Sequence, residues 1–302
     1  MNKKLMVLPL LSILIVGTIL TGCGSTGSKS TSSKPTIKVG SKNFTESLIL
    51  GEVYSEALEH AGYKVDRKFN LGDAIVHTSL VNGQIDLYPE YTGTGLLSIL
   101  KEQPKYTSKE VYDEVAAKYK EKFNLVWLDP SAANDSQGLV ITKKASDEYN
   151  IHTISDLQKN ASKIRFASQG EFDKRSDGLP SLTKVYGAFN FKDEKLYDNG
   201  LKYDVLKNDK ADLAVAYTTE GQLTDSKFVI LKDDKNAWPP YNVAPVVRQD
   251  ILTKNTDVKA ILNKVTAKLD NKTLIKLNAE VDIDKKEYKA VAKEFYDKEF
   301  SK

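Results

Sequence analysis

Apolar and polar positions alternate in three different ways along this chain. From Leu5 to Leu20 the residues are almost all apolar, behind Lys3 and Lys4. The run is 16 residues long, short of the roughly 20 that a spanning helix needs, and its basic lead predicts a signal peptide. Gly24 to Thr36 is rich in Gly, Ser, Thr and Lys and has no apolar period, which predicts a flexible tether. From Ile37 onward, short apolar runs alternate with helical spacing, and the prediction is an α/β fold.

The first elements can be placed individually. Thr36 to Gly40 reads as a strand, and Phe44, Leu48, Val53, Ala57 and Leu58 fall at helical spacing with Gly62 as the stop. Val65 to Phe69 is a second strand, Ala74 to Asn82 a short helix stopped by Gly83, and Ile85 to Tyr88 a third strand. The stretch from Asp257 to Tyr296 has helical apolar spacing and is expected to pack back on the first half.

The chain also repeats itself. Leu80–Gly95 aligns without gaps on Leu206–Gly221, matching Leu80, Asn82, Asp86, Leu87, Tyr91, Thr92 and Gly95 with Leu206, Asn208, Asp212, Leu213, Tyr217, Thr218 and Gly221. Farther upstream, Ile37 to Lys42 parallels Ile164 to Gln169. Two similar α/β lobes follow, each delivering a Tyr-Thr pair just past a strand. Ligands bind at the carboxyl edges of open α/β sheets, and two such edges face to face make a cleft. Tyr91 and Tyr217 are then expected on its opposite sides, unless they are ordinary core or surface tyrosines.

Composition narrows the function. Lys and Arg number 44 against 41 Asp and Glu, a formal net charge of +3 that falls to +1 once Lys3 and Lys4 leave with the signal peptide. A nearly neutral protein offers little to nucleic acid. The one cysteine, Cys23, rules out a disulfide framework and closes Leu20-Thr21-Gly22-Cys23. That ending resembles a bacterial lipobox, which makes Cys23 the expected lipid anchor and the remainder extracytoplasmic.

Catalytic signatures are absent: the chain has no H-E-x-x-H, C-x-x-C, G-x-S-x-G or P-loop. His60, His77 and His152 stand apart and read as surface or packing residues. No enzyme, cofactor or metal is expected. Lys42, Thr94, Arg175 and Tyr241 lie near the two tyrosines in the pattern, and prolines 239 and 240 stiffen the approach to Tyr241.

Gly40-Ser41-Lys42-Asn43-Phe44-Thr45-Glu46, Tyr88-Pro89-Glu90-Tyr91-Thr92-Gly93-Thr94, Glu171-Phe172 with Arg175 and Asp177-Gly178, and Pro239-Pro240-Tyr241 together resemble the osmoprotectant-binding proteins of ABC importers. These are receptors for glycine betaine, carnitine and choline, and the likeness runs from about Ile37 to the C-terminal helices. It implies a two-lobed periplasmic-binding-protein fold of type II. It also implies a permease partner with a cytoplasmic ATPase, and a small quaternary ammonium ligand. Carried over by motif, Tyr91, Tyr217 and Tyr241 would cage the trimethylammonium group while Lys42, Thr94 and Arg175 hold a carboxylate. Such a cation has no hydrogen to donate and is recognised by aromatic faces, whereas an Arg fork suits a carboxylate.

One position departs from the family pattern: Gln137, beside Asp135, stands where a further cage tyrosine is usual. Either the cage is three-sided or the ligand carries extra polar atoms, as does ergothioneine, the cargo of a related receptor group. Taken with the repeat, the likeness places lobe one at 37–134 plus 243–302 and lobe two at 135–242, with crossings near Asn134 and Asn242 acting as the hinge. A lipoprotein enzyme and a two-lobed sensor or adhesin are the rival classes, since a fold does not fix a function.

Overall fold

The computed structural model describes residues 34–300 apart from Glu171. The N-terminal apolar run, Cys23 and most of the tether lie outside the described residues. Among the described residues the strands are β1 Thr36–Lys42, β2 Lys64–Leu71, β3 Leu87–Tyr91, β4 Leu125–Trp127, β5 Gln137–Thr142, β6 Arg165–Ser168, β7 Asp193–Leu196, β8 Leu213–Tyr217, β9 Phe228–Ile230 and β10 Val243–Arg248. They form two five-stranded sheets, ordered β2-β1-β3-β10-β4 and β7-β6-β8-β5-β9.

The two sheets share one plan. In each, three strands run parallel, a fourth joins antiparallel, and a three-residue strand closes the edge. The fourth strand is β10 in one sheet and β5 in the other, and each is the first strand after the chain crosses between sheets. Central strands β3, β5, β8 and β10 are buried almost throughout, which explains why they read as continuous apolar runs rather than alternating ones.

The expected elements are present with small shifts. The first helix spans Thr45–His60, and Gly62 takes a φ of 90° just beyond it, the left-handed stop that glycine permits. The second spans Asp73–Val81, with Gly83 at a φ of 70°. The third strand starts later than expected and continues through Pro89 to Tyr91. A proline inside a central strand removes a ladder donor, but Pro89 lies directly opposite Pro245, so a single rung carries both residues that lack an N–H. Helices Val258–Thr266, Asn271–Asp282 and Tyr288–Phe300 pack against Thr45–His60.

The repeated residues hold equivalent places. The Asp86 carboxylate accepts the Lys38 amide at 2.8 Å while its own amide donates to the Lys38 carbonyl at 2.7 Å. Asp212 does the same with Arg165, at 2.9 Å for both bonds. Asn82 and Asn208 are the C-caps of the helices that precede these aspartates. The Thr92 hydroxyl accepts the Asn242 amide at 3.0 Å and donates to the Pro240 carbonyl at 3.2 Å; the Thr218 hydroxyl accepts the Ser136 amide and donates to the Asn134 carbonyl, both at 2.9 Å. Each threonine thus stitches the end of its sheet to one crossing segment. Asn134 and Asn242 face each other in an isolated antiparallel bridge.

Candidate ligand cleft

The carboxyl ends of β1, β3 and β8 and the loop after β6 converge on a cavity of about 760 Å³ between the sheets, a size suited to a small molecule. Lys42, Tyr91, Thr94, Asp135, Gln137, Arg175, Tyr217 and Tyr241, the residues singled out in the sequence, all line it. Lys42 ends β1 and Tyr91 ends β3, while Tyr217 ends β8 and lies opposite Gln137 in the β5–β8 ladder. Phe44 also lines the cavity, its ring centre 5.9 Å from that of Tyr91.

The two cations expected to meet a ligand carboxylate already have protein partners. Lys42, almost wholly buried, donates to Glu90 at 2.6 Å, and a second carboxylate, Asp73, stands 3.2 Å away. Burial opposes the Lys42 charge, but Glu90 and then Asp73 outweigh it and raise the lysine pKa. Arg175 turns its fork onto Asp177, with bonds of 2.8 and 2.6 Å. Burial works against the Asp177 charge, yet Arg175 prevails and holds this carboxyl below its usual range. Tyr241 donates to the same Asp177 oxygen at 2.8 Å, and the Trp238 indole donates to the Asp177 carbonyl.

Ring faces in both walls attract cations. The Lys42 ammonium stands 5.2 Å from the ring centre of Tyr91, and the Lys202 ammonium 5.3 Å from that of Tyr217, both inside the range of a cation–π contact. The two lysines are also matched in their counter-ions, Glu90 beside Tyr91 and Glu220 beyond Tyr217.

Asp135 apart, carboxylates are the larger part of the site that the sequence did not reveal. Glu46 accepts from the Tyr91 hydroxyl at 2.9 Å and from Asn278 at 2.8 Å, while Thr219 donates to Asp135 at 2.7 Å. Burial is the main cause of the raised pKa of both Glu46 and Asp135, and the Glu46 charge pushes Asp135 further up. Along the whole cavity wall Lys42, Arg175, Lys202 and Lys285 face six carboxylates, from Glu46, Asp73, Asp135, Asp198, Glu220 and Asp282. Lys42, Arg175 and Lys202 are already neutralised by Glu90, Asp177 and Glu220, so the balance left in the wall is negative even with Glu46 and Asp135 held toward their neutral forms, and it favours a cationic guest. Asp135 belongs to the expected site, and Glu46, Glu90 and Asp177 lie within the motifs that carry the family likeness, whereas Asp73, Glu220 and Asn278 carry no signal of spacing.

Gln137 is buried and its Oε1 has no hydrogen-bond partner, and the same holds for Asn278 Oδ1. Both acceptors belong to the cavity lining. His77 packs edge-on against Tyr119 and Phe123, and burial lowers its pKa to about 4, in keeping with a packing role. Among the described residues no group of three or more His, Cys, Asp and Glu is placed to hold a metal ion, and no helix is long and apolar enough to cross a membrane.

The family model described as the substrate-binding domain of ABC-type glycine betaine transport systems matches residues 35–298. A glycine-betaine-binding protein of Pseudomonas aeruginosa is 32% identical over 270 residues, 86% of either chain. The ergothioneine transport permease/ergothioneine binding protein EgtU of Helicobacter pylori is 33% identical over 262 residues, 86% of this chain but 47% of that protein, so the chain spans about half the length of this relative. Among solved structures, one described as a glycine betaine/carnitine/choline ABC transporter is 31% identical, with a TM-score of 0.76 over 87% of this chain and 98% of the other. These relatives are named for binding and transport, not for catalysis.

Proposed function

Because the chain belongs to the family of substrate-binding domains of ABC-type glycine betaine transport systems, we propose that it is the extracytoplasmic receptor of an importer for quaternary ammonium compounds such as glycine betaine, carnitine and choline. The observation that carries the ligand class is the pair of tyrosines, one at the end of a strand in each sheet, each with an ammonium already within cation–π distance of its ring. Tyr91, Tyr217 and Tyr241 would receive the trimethylammonium group, helped by the surplus of carboxylates. Lys42, Thr94 and Arg175 would face a ligand carboxylate. Closure of lobe 135–242 on lobe 37–134 plus 243–302 about Asn134 and Asn242 would present both lobes to a permease, powered by a cytoplasmic ATPase. Cys23 would carry the lipid that keeps the receptor at the membrane, a reading that rests on the sequence around it.

A second reading is favoured by one observation: the buried, unpartnered Oε1 of Gln137 calls for a donor, which glycine betaine lacks and which choline and carnitine offer only as a hydroxyl. A betaine bearing a ring N–H would supply it, and the H. pylori relative is named for ergothioneine. Titration calorimetry with glycine betaine, carnitine, choline and ergothioneine separates the readings. Low-micromolar binding of the small ligands supports an osmoprotectant receptor. Selective binding of ergothioneine moves the cargo to the ring-bearing betaine, and no heat with any of them overturns the proposal.

A further inference from the structure

Asp73 opens the helix Asp73–Val81 at the mouth of the cleft, with its side chain 44% exposed. One of its oxygens lies 3.2 Å from the Lys42 ammonium on its own wall, and the other lies 3.7 Å from Arg175 Nη1 on the opposite wall. Both cations have a closer partner elsewhere, Glu90 for Lys42 and Asp177 for Arg175. Nε and Nη2 of Arg175 are taken up by Asp177, which leaves Nη1 among the donors that can turn to the cleft. Asp73 therefore stands in ion-pair contact with both groups, the two that an incoming carboxylate would need.

We propose that Asp73 is a built-in occupant of the ligand-carboxylate position and sets the preference of the cleft between betaines, which carry a carboxylate, and cations that carry none. The inference rests on the quaternary ammonium reading of the cleft. A betaine reaching Lys42 and Arg175 must displace Asp73 or lie beside a like charge, and this repulsion is a specificity element of the kind that works against one ligand rather than for another. Choline meets no such competitor and keeps Asp73 as one more negative charge near its cation.

The test is calorimetry on the full-length protein in detergent, wild type against Asp73→Asn and Asp73→Glu, with glycine betaine and choline. In Asp73→Asn the ratio of the two dissociation constants is expected to move toward glycine betaine by about tenfold or more, while Asp73→Glu stays close to wild type. Asp73→Ser carries the same expectation as Asn and guards against a local disturbance of the helix start. Binding of both ligands with an unmoved ratio in the neutral variants overturns the role of Asp73 and leaves the receptor reading standing. Failure of the wild type to bind either ligand overturns both.

Discussion

The two lobes agree in their frames and differ in their sites. Asp86 and Asp212 tie equivalent strands by equivalent bonds, and Thr92 and Thr218 tie equivalent sheet ends to the crossings. Past those residues the copies diverge. Gly95 begins a π-helical turn and lies against the Trp127 ring, whereas Gly221 begins a 3₁₀ turn pressed onto the backbone of Ala279. Tyr91 has Glu46 as its hydroxyl partner; Tyr241, at the second crossing, has Asp177. The difference teaches that a repeated scaffold keeps the residues that hold strands together, while the residues that line the cleft are free to become unlike.

The largest expected effect sharpens that contrast. Lys42→Met leaves Glu90, 1% exposed, without its cation, and stripping one partner from a buried pair costs about 3 to 5 kcal/mol. Lys202→Met strands Glu220, which is 16% exposed, and water softens the loss to about half. Urea denaturation of the ligand-free protein measures both, and equal losses would mean that the two walls are electrostatically alike. Next in size, Asp86→Ala and Asp212→Ala each leave a backbone amide of the neighbouring strand without its acceptor, for about 1 to 3 kcal/mol. Asp212→Ala also removes the Arg165 side-chain pair at 2.9 and 2.6 Å, a partly exposed contact worth up to about 1 kcal/mol, so losses equal within that margin support the equivalence of the frames, and a loss confined to one lobe breaks it. The smallest effect concerns the rings: Tyr217→Ala is expected to weaken choline several-fold, in line with roughly 0.5 to 2 kcal/mol per cation–π contact, and Tyr217→Phe far less. Tyr91→Phe should cost more than Tyr217→Phe, because only Tyr91 donates to the buried Glu46. Calorimetry reads all of them.

The largest of these effects belongs to the part of the site that was least legible in the sequence. Asp86, Thr92 and their counterparts were visible as identities because each lobe needs them for the same bond. The tyrosines were visible for the same reason, and Gly62 and Gly83 marked helix ends because only a left-handed residue fits there. The end of β3 was not, since Pro89 reads as a stop until Pro245 is known to face it. Nor were the counter-charges. Asp73 reaches Lys42 from a helix start and Arg175 reaches Asp73 from across the cleft, and contacts between separate elements leave no period in a sequence that holds 41 acidic residues.

The threonine stitches have one more consequence. Thr92 and Thr218 directly follow Tyr91 and Tyr217 in the chain and are bonded to the crossing segments, so two of the aromatic rings would sit beside the axle if the lobes turn about those crossings, as proposed. Points near an axle sweep short arcs, and points farther from it sweep long ones. The rings would thus keep nearly the same spacing at every opening angle, like the fixed jaw of a caliper, while the charged rim takes its final reading only as the instrument shuts.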